Sequence, residues 1–62
     1  MKVRQIIKKL ESEGWILVRQ KGSHKQFNHP EKKDLITLPD HGRNKEPSIG
    51  VFNDIKRKAG WK

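Results

Sequence analysis

Apolar residues recur with a helical period near the start of the chain. Val3, Ile6, Ile7 and Leu10 stand at i, i+3, i+4 and i+7 and form one stripe of a helix over residues 2–13. Lys8, Lys9, Glu11 and Glu13 fall on its other faces, and Gly14 follows where a left-handed residue commonly ends a helix. The period then changes. WILVRQ, residues 15–20, is rich in aromatic and β-branched side chains and predicts a strand, with Trp15 at the core or its edge. Lys21-Gly22-Ser23 predicts a turn. HKQFNH, residues 24–29, predicts a second strand stopped by Pro30. PEKKD, residues 30–34, reads as a polar turn, and LITLP, residues 35–39, as a short third strand. DHGRNKEPS, residues 40–48, is loop chemistry. IGVFNDIKRKAG, residues 49–60, predicts a second helix with Ile49, Phe52, Ile55 and Ala59 as its apolar stripe. Ser48 is its expected N-cap. Lys56, Arg57 and Lys58 suit the negative end of its dipole, and Gly60 suits the position just beyond. Trp61 either packs back on the domain or meets a partner.

The predicted order is therefore α-β-β-β-α. Successive strands joined by short turns pair antiparallel. Both helices carry a stripe to bury, and the sheet needs one face covered. The expectation is a two-layer α+β domain spanning residues 1–62, with a three-stranded antiparallel sheet and two helices on one face.

Alternation along the second strand assigns its faces. His24, Gln26 and Asn28 share one; Lys25, Phe27 and His29 share the other. Phe27 belongs in the core, so its face meets the helices and His24 stands on the open face. His24 then lies beside a glycine turn, close in sequence to Arg19, Lys21 and Lys25. His29, at the strand end before a proline, reads as a structural or rim histidine. His41 sits in the loop.

Charge narrows the choice of partner. Fifteen Lys and Arg against seven Asp and Glu give a net charge of +8 on 62 residues. Such a field favours polyanions. The chain has no cysteine, which removes disulfides, thiolate zinc sites and Cys nucleophiles together. The histidine spacings match no common zinc pattern, and neither a metal nor a small-molecule cofactor is expected. No apolar run approaches the roughly 20 residues that span a bilayer, so no membrane partner is expected and the cytoplasm is the expected compartment.

The tract from Gly14 to Pro30, G-W-x-x-V-R-Q-K-G-S-H-x-x-F-x-H-P, resembles the HicA toxins of prokaryotic HicA–HicB toxin–antitoxin systems. The resemblance continues through the third strand, His41 and the Gly50–Gly60 helix. It implies a fold similar to double-stranded RNA-binding domains. It also implies an mRNA interferase, an endoribonuclease that cuts messenger RNA and is neutralised by a HicB-type antitoxin. The catalytic histidine of that family falls on His24, and its glycine and serine on Gly22 and Ser23. One departure is visible: the family often has Gly-Thr where this chain has Gly50-Val51, which leaves helix capping to Ser48.

RNA carries its own nucleophile, the 2′-OH. A histidine, titrating near pH ~6.5, can help remove that proton or supply one to the leaving oxygen. His24 is the candidate catalyst. Arg19, Lys21 and Lys25 are candidates to hold phosphate or offset transition-state charge, Gly22 to admit a close backbone approach, and Ser23 to donate a hydrogen bond. Two other readings fit the same order and charge: a non-catalytic RNA-binding module, and a protein-interaction domain whose basic surface meets an acidic partner.

Overall fold

In the computed structural model, which describes residues 1–62, the elements run α1 (Val3–Ser12), β1 (Ile16–Lys21), β2 (His24–His29), β3 (Lys32–Pro39) and α2 (Ile49–Ala59). The strands form one antiparallel sheet in the order β1-β2-β3, with β2 central. Val3, Ile6 and Leu10 of α1 and Ile55 and Ala59 of α2 join Trp15, Phe27, Ile36 and Leu38 in one buried cluster. Both helices therefore cover the same sheet face, as alternation about Phe27 requires. Each large apolar side chain so buried contributes about 1.5–3 kcal/mol.

Beyond shifts of one residue at the ends of α1, β1 and α2, two features differ from the sequence reading, each for a physical reason. β3 begins at Lys32, not at residue 35, because the turn takes only Pro30 and Glu31. Lys32, Lys33 and Asp34 are strand residues with exposed side chains, and an edge strand tolerates charge in its ladder. In α2, Ile49 is 79% exposed and takes no part in the stripe. It is the first helical residue, and a helical side chain leans toward the N-terminus, here past the end of the core. Val51 packs against the core in its place, beside Phe52.

The caps follow the sequence more closely. Ser48 Oγ accepts a hydrogen bond from the Val51 backbone N–H at 3.3 Å, and Gly60 closes α2 in the left-handed conformation at φ +78°. The N-terminus of α1 is satisfied from a distance. The Val3 and Arg4 N–H groups donate to the carbonyls of Lys45 and Arg43, at 2.8 and 3.0 Å, and Gln5 Oε1 accepts from the Lys2 N–H at 2.8 Å. The 40–48 loop is thus pinned against the first turn of α1, where otherwise unpaired donors need acceptors. Trp61 folds back: its indole N–H donates to Glu13 Oε1 at 2.6 Å, and Lys9 Nζ lies 5.2 Å from the centre of its ring.

Candidate nucleic-acid interface at the open sheet face

The site grows from the β1–β2 hairpin. Gly22 takes φ +59°, the left-handed conformation that reverses the chain, and the Gln20 amide donates to the Gly22 carbonyl at 3.2 Å across the turn. Register then sets what faces solvent. Lys21 pairs with His24 and Arg19 with Gln26, while His24 and Gln26 pair on their other side with Pro39 and Thr37. Residues directly opposite in an antiparallel ladder project to the same face. Arg19, Lys21, His24 and Gln26 accordingly line one open depression of about 400 Å³, away from the helices. None of these four side chains enters a hydrogen bond or ion pair within the chain. An exposed imidazole between two uncommitted cations and a neutral amide has its full donor and acceptor capacity free for a ligand.

The other sequence-selected residues go to different places. Ser23 is half-buried and its carbonyl accepts from the Asp40 N–H at 2.6 Å, so its backbone anchors the turn; neither Ser23 nor Gly22 lines the depression. A side chain at Gly22 would meet open space, so its glycine answers to backbone conformation and not to crowding. Lys25 departs from its expected role beside the catalyst. Its parity carries it to the helix side, where it is buried at 9% exposure, with Nζ 3.6 Å from Asp40 Oδ2 and 3.2 Å from Gln20 Oε1. An ammonium committed there cannot hold a phosphate on the opposite face. It fixes the hairpin instead, because Asp40 also accepts from the Gly42 N–H and donates its own N–H to the Ser23 carbonyl.

His29 is structural. Its Nε2 lies 2.9 Å from the Glu13 carbonyl, and its Nδ1 accepts from the Glu31 N–H at 3.0 Å, so the proton sits on Nε2. Its ring meets Trp15 edge-on with centres 5.2 Å apart. His41 is exposed and lines a separate depression with residues of the loop and the start of α2. No three His, Asp or Glu side chains converge anywhere in a geometry that would hold a metal ion. No helix is long and apolar enough to cross a membrane.

Two residues of this region escaped the sequence reading. Alternation sets Gln26 on the face of His24, but only the register that places it opposite Arg19 makes it a wall of the depression. Asp40 gave no local signal, since its role depends on the path of β3 back to the hairpin.

Known proteins agree with this architecture. No curated protein sequence matches the chain significantly. A solved structure described as a HicA3 and HicB3 toxin–antitoxin complex contains a chain that is 32% identical and superposes with a TM-score of 0.75, over 100% of this chain and 97% of that one. The family described as the HicA toxin of bacterial toxin–antitoxin systems matches residues 3–61. Spanning nearly the whole sequence, that match establishes that the chain belongs to the HicA toxin family.

Proposed function

We propose that the protein is an endoribonuclease, an mRNA interferase acting in the cytoplasm, with His24 as its proton-transfer group. RNA lies over the hairpin end of the open sheet face with a phosphate between Arg19 and Lys21, and the ribose 2′-oxygen attacks that phosphorus. The 2′-oxygen–phosphorus bond forms and the bond to the 5′-oxygen breaks, leaving a 2′,3′-cyclic phosphate and a 5′-hydroxyl. The 2′-OH proton leaves through His24, or His24 delivers the proton that the 5′-oxygen takes up. No metal is needed, because the nucleophile is part of the substrate and the two cations offset charge developing on the phosphorane. One titrating group contributes roughly 10²–10⁴-fold. The resulting slow nuclease still suffices for a toxin that needs few cuts per message.

The observation carrying this reading is the convergence of an exposed, uncommitted imidazole with Arg19 and Lys21 in one depression, on a chain of net charge +8. Ser23, at the turn beside the depression, is the candidate hydrogen-bond donor to the phosphate, and Gly22 gives that turn its left-handed conformation. A HicB-type antitoxin, like the one in the HicA3 and HicB3 complex, neutralises the protein by covering this depression. The test is incubation of labelled single-stranded RNA with the protein and EDTA. Cleavage that disappears in His24→Ala, while salt-sensitive RNA binding persists, supports the enzyme. Binding without cleavage by the parent protein supports the alternative, a non-catalytic RNA-binding module of the same fold.

A further inference from the structure

The open sheet face has two unlike halves. The hairpin half carries Lys21, His24, Arg19 and Gln26. The other half is apolar. Ile16 pairs with Asn28 and is 56% exposed, and Val18 stands at the break in register of β1 and is 51% exposed. Leu35 is next along β3 from Ile36, which pairs with Phe27; it falls beside Asn28 and is 40% exposed. None of the three belongs to the core cluster, and no element covers them.

We propose that this apolar half is the anchor on which the antitoxin seats, with antitoxin carboxylates reaching Arg19 and Lys21; the proposal rests on the toxin–antitoxin reading above. Three observations select a protein over the other occupants. RNA platforms on sheets stack bases on aromatic rings. The chain's two tryptophans and two phenylalanines are all elsewhere: Trp15 and Phe27 are buried, and Phe52 and Trp61 pack against the core. Branched aliphatic side chains offer nothing to stack on, but they fit the apolar centre of a protein interface. A second copy of this chain fits poorly. Two chains of +8 would meet, and the positions paired with Arg19 and Lys21, which are Gln26 and His24, supply no carboxylate. A partner with apolar residues followed by acids satisfies both halves at once. Apolar burial then holds it, and the charge contacts carry it over His24.

This division separates neutralisation from cleavage, since Ile16 and Leu35 take no part in the proposed RNA contacts. The experiment uses the full chain and a HicB-type antitoxin that binds the parent protein. A double variant Ile16→Thr/Leu35→Thr keeps β-forming residues at exposed positions, and its thermal midpoint checks the fold. The expected result is cleavage of labelled RNA at the parental rate with antitoxin affinity lowered about 30-fold or more. The variant should still cut RNA in the presence of antitoxin at a level that silences the parent. Unchanged antitoxin affinity overturns the proposal. Loss of RNA cleavage with antitoxin binding intact also overturns it, by showing that the apolar half serves the substrate. If the double variant unfolds, Val18→Thr, nearly isosteric, is read in the same two assays, and undiminished antitoxin affinity there overturns the proposal. A parent that binds antitoxin but cuts no RNA refutes the nuclease reading alone, because the affinity comparison still decides the anchor.

Discussion

His24 and His29 stand at the two ends of one six-residue strand and have opposite fates. His24 lies on the face without helices, beside cations that have no partners. His29 lies on the other parity, where both ring nitrogens are engaged and its ring packs on Trp15. The chemistry of the two side chains is identical, and alternation along a strand is enough to make one available to a ligand and the other a fastener. The same rule divides the neighbouring lysines. Lys21 is paired opposite His24 on the open face, while Lys25, one residue from His24, is buried against Asp40.

The contrast can be broken by substitution, and the largest effect belongs to the open face. His24→Ala should lower RNA cleavage by roughly 10²–10⁴-fold. Its thermal midpoint should stay near that of the parent, because the ring has no partner in the fold. Calorimetry beside a gel assay reads both. On the helix face, Lys25→Ala leaves the Asp40 carboxylate buried without its cation. A loss of about 3 kcal/mol in denaturant unfolding is expected, toward the low end for such pairs because both side chains keep some solvent contact. His29→Ala should cost about 2 kcal/mol through its two hydrogen bonds and the Trp15 contact. At concentrations where the variant is folded, RNA cleavage should continue. Loss of cleavage by folded His29→Ala would mean that His29 serves the reaction as well as the fold.

The smallest effect lies on exposed α2. The hydrogen bond from Lys58, with the charge of that residue and the contact to Arg57, holds the Asp54 carboxyl below its ordinary value of 3.8 against an opposing cost of desolvation. A carboxyl whose folded pKa is depressed stabilises the fold above its unfolded pKa, and that contribution is lost as pH falls through the folded value. Asp54→Asn should therefore lower the thermal midpoint slightly at neutral pH and match the parent in strong acid. The substitution is solvent-exposed, so the difference should be the least in this series.

Much of this division was legible in the sequence. Phe27 alone fixes the inward parity of β2, so the outward course of His24 and the inward course of His29 followed without any knowledge of the tertiary fold. The Ser48 cap, the Gly60 terminus and the burial of Trp15 were equally local. What escaped depends on contacts between distant segments. Lys25 has the parity of Phe27, yet its charge and its closeness to His24 suggested a role at the site; only the return of β3 to the hairpin brings Asp40 within reach of it. Ile49 has the right spacing for the α2 stripe, but the core ends before it. Lys32 to Asp34 look like turn residues because strand pairing by edge residues leaves no signature in side-chain polarity. The apolar half of the open face was hidden for a similar reason, since Ile16, Val18 and Leu35 read as ordinary strand hydrophobics until the sheet shows which side is bare.

The most direct test of the central claim is cleavage of an RNA oligonucleotide carrying a single 2′-deoxy nucleotide at the cut position. The parent protein should cut the all-ribose strand in EDTA to a 2′,3′-cyclic phosphate and leave the substituted strand whole at that position. Continued cutting at the deoxy position would contradict attack by the 2′-oxygen, and with it the role of His24 in moving that proton.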